Sequence, residues 1–103
     1  MNNTTTKQNH KIWRKQFREG VLARDNNKCR VCNSEGILDA HHITDRHDFP
    51  NGGYVLSNGI SLCSSCHIKA EKGFPDGFHP NDLYEMINSS YEKACEDSKK
   101  LSN

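Results

Sequence analysis

The chain has few of the residues that build a large hydrophobic core. Hydrophobic residues make up 33% of its 103 residues, against roughly 45–50% (Gly included) in globular domains. A chain of this length has room for one domain and not for two. Since apolar burial alone is a weak basis for such a fold, we expect a structural metal to help stabilise it.

Two further absences indicate the cellular compartment in which we expect the protein. Residues 1–10 lack the apolar run of a secretory signal, and no stretch approaches the about 20 apolar residues of a membrane span. The five cysteines are an odd number, which excludes a complete set of internal disulfides. We therefore expect a cytoplasmic protein, in a reducing compartment where thiols remain free to take zinc.

Positive charge is concentrated near the N-terminus. Lys7–Arg30 contains eight Lys or Arg against two acids, whereas the rest of the chain has six Lys or Arg against eleven acids. A basic segment of this kind suggests contacts with DNA phosphates, although a solvated helix face is the alternative. The candidate DNA-binding residues are Lys11, Arg14, Lys15, Arg18, Arg24 and Arg30.

The apolar pattern predicts one domain between two short tails. Trp13, Phe17 and Val21 recur every four residues, which indicates an amphipathic helix from His10 to about Arg24. We expect a disordered lead over 1–9, a domain over 10–95 with its core at about 36–73, and a frayed tail over 96–103. The domain should end in a helix over about 82–95, which begins with a capping box of Asp82 and Glu85.

The core reads as strand, loop, strand and helix. The expected elements are a strand from Ile37 to His42, a loop over 44–53, a second strand at Tyr54–Leu56 ended by a turn at Asn58–Gly59, and a helix over about 65–72 capped by Gly73.

Two C-x-x-C pairs, Cys29/Cys32 and Cys63/Cys66, predict a structural zinc site. Each pair places two thiolates on one turn, and two such turns complete the tetrahedron that zinc prefers. The 30 residues between the pairs imply that a whole substructure is inserted there. A mixed site that includes His41 and His42, or a redox pair, remains open. Four thiolates would leave no coordination position for water, so catalysis must lie elsewhere.

The inserted segment carries a second motif. Ala40-His41-His42-Ile43 is followed by Asn58-Gly59-Ile60 and by Cys66-His67. In order, spacing and flanking residues this pattern resembles the HNH endonuclease family over residues 28–72, and the basic lead helix is similar to that of small phage-encoded members. The resemblance implies an α+β fold, a ββα-metal unit between flanking helices.

The resemblance also implies roles for the motif residues. His41 and His67 would hold one catalytic divalent ion, His42 would be the general base, and Asn58 would orient it from the loop between the strands. Many members have a histidine four residues after the last one, where this chain has Glu71. Glu71 is therefore a further candidate ligand, and an oxygen donor favours harder ions. The expected products carry 5′-phosphate and 3′-hydroxyl ends.

These roles are chemically reasonable. Histidine can take a proton from water near neutral pH, and an ion held by two imidazoles keeps positions open for a phosphate. The ion could be Mg²⁺, Mn²⁺, Ni²⁺ or Zn²⁺. Because neighbours on a strand point to opposite faces, His41 and His42 are poorly placed to chelate one ion together.

Two other functions fit the same sequence. The first is a catalytically inactive, zinc-dependent DNA-binding module in a phage packaging or repair complex, and the second is a zinc domain that binds proteins. DNA is the expected partner, with a homodimer or phage packaging proteins as further candidates. His10, His47 and His79 are expected to be ordinary surface or packing residues, and Cys95 is assigned no role.

Overall fold

The computed structural model describes residues 3–101, with side chains from residue 10 onward. It confirms the predicted α+β class. Two short 3-10 turns, Pro50–Gly53 and Leu56–Asn58, lie between the strands. The main elements in chain order are α1 (Asn3–Arg24), β1 (Leu38–His42), β2 (Gly59–Cys63), α2 (Ser64–Lys72), α3 (Pro80–Met86) and α4 (Tyr91–Lys99).

The two strands form an antiparallel ribbon that positions the histidines. His41 pairs with Ile60 and His42 with Gly59, and residues opposite each other share a face of the sheet. His42 and Gly59 therefore face α1, whereas His41 and Ile60 face the other side. The pleat of β1 alone places the neighbouring side chains of His41 and His42 on opposite faces of the ribbon.

Helix α1 packs closely on the first face. Phe17 and Val21 are buried there together with Tyr54. A Cβ atom added to Gly59 would lie 2.5 Å from a methyl carbon of Val21 and 2.7 Å from the ring of Phe17. Glycine is therefore required at this position by the close approach of the helix, in addition to any role in a turn.

The larger core lies on the opposite face. Ile60 and Leu62 are fully buried and belong to one cluster with Leu83 and Tyr84 of α3 and Ala94 of α4. Helix α2 packs on the strands at this face, and the two C-terminal helices contribute to the same cluster. Burying a side chain of this size contributes roughly 1.5–3 kcal/mol, so this cluster is the main apolar contribution to stability.

A buried carboxylate joins α1, the first cysteine pair and β2. Asp25 accepts hydrogen bonds from Arg24 (2.9 Å), from Arg30 (2.8 Å) and from the backbone N–H of Ser61 (3.0 Å). Burial by itself would raise the pKa of Asp25, but the hydrogen bonds from Arg24 and Ser61 outweigh it and leave that pKa below its usual value. Asp25 is therefore ionised and compensated, as a buried charge must be.

The predicted second strand is wrong in position. Tyr54–Leu56 leads into a 3-10 turn, and β2 is instead Gly59–Cys63. The small residues Gly59 and Ser61 hide the strand pattern, because they are buried where α1 lies too close for larger side chains. Tyr54 packs edge-on against Phe17, with ring centroids 6.1 Å apart, rather than in a ladder.

The first helix also differs from its predicted bounds. It begins at Asn3 and not near His10, so residues 3–9 are helical where a disordered lead was expected. Once a helix is nucleated, each added residue gains one hydrogen bond, and no Pro or Gly interrupts this stretch. Residues 1 and 2 lie outside the described part of the chain.

The predicted last helix is two helices. His79 caps α3, with Pro80 in its first turn, and His79 shares the capping box with Asp82. The predicted partner of Asp82, Glu85, is therefore wrong. Helix α3 ends at Met86, and Ser90 starts α4, which runs to Lys99 and so includes part of the expected frayed tail. Residues 102 and 103 are not described.

Two other predictions agree with the structure. β1 covers most of the predicted first strand, and α2 ends at Lys72 with Gly73 as its cap at a φ of 70°. Positive φ is accessible to glycine at little cost, which explains why the helix stops there. No helix in the described range is both long and apolar enough to cross a membrane.

Candidate metal centre and histidine cleft

The four predicted zinc cysteines lie together at one end of the ribbon. The sulfurs of Cys29, Cys32, Cys63 and Cys66 are all within 4.8 Å of one another. Over residues 10–101, whose side chains are described, they are the one group of three or more such ligands with donor atoms this close. The four thiols are therefore placed to bind one metal ion, and Cys95 does not join them.

Local structure shifts the pKa values of these thiols in different directions. A hydrogen bond from the backbone N–H of Cys66 lowers the pKa of Cys63 to about 6, since Cys63 lies at the N-cap of α2. Burial raises the pKa of Cys66 to about 12. The backbone N–H of Arg30 donates to the carbonyl of Ser61 (2.9 Å), which holds the first cysteine pair against β2.

The three motif histidines line one cleft at the other end of the ribbon. The cleft has a volume of about 490 Å³ and lies between the end of β1, the loop after it and α2. Its lining comprises Ala40, His41, His42, Ile43, Asp45, Arg46, His67, Ala70 and Glu71.

His41 and His67 approach each other in this cleft. Their ring centroids are 5.0 Å apart and the rings are steeply inclined. Burial, together with the neighbouring histidines, lowers the pKa of His41 to about 4, so the ring is neutral near pH 7 and keeps a lone pair for a metal. His67 contacts a carboxylate at each ring nitrogen: Nδ1 lies 3.1 Å from Asp39 and Nε2 lies 3.0 Å from Glu71.

His42 occupies a different environment one residue away. Its ring stacks on Phe17 at a centroid distance of 4.2 Å and meets the ring of Tyr54 edge-on at 5.0 Å. Burial, followed by the positive charge of Arg46, lowers the pKa of His42 to about 4. Within residues 10–101, whose side chains are described, its Nε2 is buried without a hydrogen-bond partner. A neutral imidazole held by two aromatic rings is the chemical form that can accept a proton.

Asn58 is fully buried and uses every hydrogen-bonding position of its amide. Its Oδ1 accepts from the N–H of Thr44 (3.0 Å) and from the hydroxyl of Tyr84 (2.8 Å). Its Nδ2 donates to the carbonyls of Thr44 (3.0 Å) and Gly53 (3.2 Å). Asn58 therefore ties both ends of the inter-strand loop to α3, and it has no free atom left for a metal.

Two arginines and a tyrosine stand next to His42. Burial would raise the pKa of Tyr54, but hydrogen bonds from Arg46 and Arg14 reverse this and lower it. The charge of Arg14 also contributes to the low pKa of His42. Arg46 of the loop thus lines the cleft, and Arg14 of α1 places a second cationic group near His42.

The other predicted DNA contacts divide into two groups. Lys11, Lys15 and Arg18 are exposed on α1. Arg24 instead donates to Asp25 and to the carbonyls of Leu56 and Gly59, both at 2.7 Å. Arg30 donates to Asp25 and to the carbonyl of Met86. The guanidinium groups of Arg24 and Arg30 therefore serve the fold.

Sequence reasoning missed several members of the site. Asp39 precedes the histidine pair by two residues and could have been found, because strand residues two apart share a face. Arg46 follows the pair within the predicted loop, but no spacing rule singles it out. Tyr84 lies 26 residues after Asn58 in another element, and no local pattern connects the two.

Comparison with known proteins supports the expected family. A family model described as HNH endonuclease matches residues 29–73, the segment from the first zinc-type cysteine to the cap of α2. No curated protein and no solved structure matches the chain significantly. The matched segment contains the four clustered thiols and the three motif histidines, and its similarity to the HNH endonuclease family agrees with the geometry of both groups.

Proposed function

We propose that this protein hydrolyses DNA phosphodiester bonds, with His42 as the general base and one divalent ion held by His41 and His67. The observation that carries the proposal is that the three motif histidines line one open cleft while their surroundings differ. The family match indicates a nuclease with DNA as its substrate. The division of labour among the histidines is our inference from their contacts.

The chemistry of these residues suits a divalent ion. His41 is neutral, and Nε2 of His67 and a carboxylate oxygen of Glu71 are 3.0 Å apart. Two ligands at right angles, each about 2.1 Å from an ion, are separated by about 3.0 Å. The mixed imidazole and carboxylate set suits Mg²⁺, Mn²⁺, Ni²⁺ or Zn²⁺. When bound, the ion would supply charge stabilisation to the phosphate and the leaving oxygen.

His42 has the properties of a base that acts on water. Its ring is neutral, is fixed by Phe17 and Tyr54, and faces a different environment from His41. It can therefore take a proton from an attacking water while the metal ligands remain in place. Attack on phosphorus with loss of the 3′ oxygen leaves 5′-phosphate and 3′-hydroxyl ends.

Asn58 supports this geometry without touching the substrate. Its amide connects Thr44, two residues after His42, to Gly53 and Tyr84. We propose that it holds the loop, including Arg46, against the end of β1. Its part in catalysis is then to limit the positions that His42 can adopt, which is worth most when a reacting atom must be held within a fraction of an ångström.

Exposed basic residues of α1 provide the DNA contacts in this proposal. Arg14 lies next to His42 and Tyr54, and Lys11, Lys15 and Arg18 continue the same helix. These cations would neutralise backbone phosphates and supply affinity that depends on salt and little on sequence. We add Arg46 to the set, and we leave out Arg24 and Arg30 because Asp25 engages them.

We assign the four-cysteine cluster to one structural zinc ion. Four thiolates in a tetrahedral set are the ligands zinc prefers in closed sites. The thiols contribute one pair from the turn after α1 and one from the junction of β2 and α2. Zinc would therefore fasten α1 to the ribbon, in a domain whose apolar content is low.

The test is plasmid nicking in the presence of each candidate ion. The zinc-loaded protein should nick DNA, and His42→Ala should lower the rate about 10²–10⁴-fold while zinc content and melting remain close to wild type. His47→Ala removes an exposed histidine of the same loop and should leave the rate unchanged. His42→Asn provides a smaller disturbance of the packing if His42→Ala is unstable.

Other outcomes identify the rival functions. Tight DNA binding without cleavage in any ion would favour the inactive module in a phage packaging or repair complex. A protein that neither binds nor cuts DNA would favour the protein-binding zinc domain. Sedimentation with and without DNA would test for the homodimer that we consider as a partner.

A further inference from the structure

Two carboxylates hold the ring of His67 between them. Asp39 Oδ2 lies 3.1 Å from Nδ1 and Glu71 Oε1 lies 3.0 Å from Nε2. Glu71 lines the cleft, whereas Asp39 is not among the described residues that do so. The two nitrogens of one ring therefore face different surroundings, Nε2 towards the cleft and Nδ1 away from it.

The strand register explains how Asp39 reaches the ring. Asp39 lies two residues before His41 and opposite Leu62, so its side chain points to the same face as His41. Helix α2 packs on this face and presents His67 from its first turn. The contact joins β1 to α2 directly. The position of Asp39 is set by the backbone pairing of β1 with β2 and not by the length of a flexible side chain.

Hydrogen-bond chemistry then determines where the proton of a neutral His67 ring must be. An ionised carboxylate only accepts hydrogen bonds, and a neutral imidazole has one donor nitrogen and one acceptor nitrogen. If Nδ1–H donates to Asp39, the lone pair of the ring lies on Nε2 and points into the cleft. Nε2 and the Glu71 oxygen would then be two acceptors 3.0 Å apart, an arrangement that favours a cation between them.

We propose that Asp39 is a positioning residue that fixes the tautomer and ring plane of His67, so that Nε2 is the atom offered to a divalent ion. A carboxylate that accepts the second N–H of a metal-binding histidine also makes that ring a stronger ligand. This inference rests on the proposed function for the presence of the ion. The tautomer itself can be measured without any ion in the cleft.

The first measurement is the tautomer of His67 in the zinc-loaded chain of 103 residues, read from imidazole ¹⁵N chemical shifts at a pH where the ring is neutral. We expect Nδ1–H in the wild type. Asp39→Ala should shift the ring towards Nε2–H, the tautomer that free histidine prefers. Asp39→Asn should retain Nδ1–H, because its amide oxygen is still an acceptor. Asp76→Ala, at an exposed aspartate after α2, should change nothing.

The second measurement is Mn²⁺ affinity by calorimetry. Asp39→Ala should weaken binding about 10–100-fold, with Asp39→Asn between it and the wild type. Nε2–H in the wild type, or a tautomer that Asp39→Ala does not alter, would overturn the positioning role even if the protein cuts DNA. A tautomer that follows Asp39 in a protein that never cuts DNA would keep the positioning role and reject the nuclease.

Discussion

The cysteine cluster and the histidine cleft use the same short ribbon in opposite ways. At one end four sulfurs lie within 4.8 Å of one another, so they can enclose an ion completely. At the other end the histidines line an open cleft of about 490 Å³ together with carboxylates and Arg46. Loss of the cysteine cluster should unfold the domain, whereas substitutions in the histidine cleft should reduce activity and leave the fold intact.

The largest expected effect is the loss of one thiol of the cluster. Cys66→Ser should abolish stoichiometric zinc and cooperative thermal unfolding, because a structural zinc site contributes on the order of 10 kcal/mol to folding. Cys95→Ser is the matched control and should keep both. Elemental analysis and circular dichroism provide the measurements. A cooperative melt in Cys66→Ser would show that the cluster does not stabilise the fold.

Removal of a cleft ligand should have the opposite pattern. His41→Ala is expected to lower the nicking rate by two orders of magnitude or more, since the ion supplies several kcal/mol of charge stabilisation. Zinc content and melting temperature should remain near wild type. Unfolding on this substitution would contradict the contrast between the two ends, because it would make the cleft part of the structural core.

The stability of the end of the ribbon that carries the cysteine cluster can also be tested without mutating a cysteine. Asp25→Asn should cost about 3 kcal/mol, because it leaves Arg24 and Arg30 without the buried charge that they compensate. The folded pKa of Asp25 is lowered, so its contribution is complete above the unfolded pKa of about 3.8 and is lost as the pH falls through the folded pKa. The difference between variant and wild type, from denaturant unfolding, should therefore be constant between about pH 5.5 and about pH 8.

Asn58→Ala should sharpen the comparison, because Asn58 contacts both the loop and α3. It leaves a buried hydroxyl and several backbone groups without their partner, at a cost of about 1–3 kcal/mol for each group that stays unsatisfied. The nicking rate should fall by more than that of Tyr84→Phe, which removes one hydrogen bond to Asn58 and keeps the loop tied. Equal rates in the two variants would mean that the loop does not depend on the amide.

The smallest effects should come from the DNA contacts. Arg14→Gln and Arg46→Gln should each lower the slope of log affinity against log salt by about 0.9, without a change in melting. Arg24→Gln should do the reverse: it should lower stability and leave the slope unaltered. DNA binding measured over a series of salt concentrations distinguishes a phosphate contact from a structural arginine.

Much of the site could be predicted from local patterns. The C-x-x-C pairs predict clustered thiols because each pair needs only one turn, and the resemblance to the HNH motif singles out His41, His42 and His67. Gly73 is identifiable as a helix end since few other residues adopt its φ. The position of β2 could not be predicted, because Gly59 and Ser61 have weak strand preference and are selected by the approach of α1.

The sequence alone determined which chemical groups are present and how far apart along the chain they lie: four thiols in two pairs, three motif histidines, and a surplus of cations near the N-terminus. The tertiary structure decided what each group can do. It turned Arg24 and Arg30 inward to Asp25, brought Tyr84 to Asn58, and placed Asp39 beside His67. The physical reason is that buried charges and amides require partners, and those partners come from elements distant in the sequence.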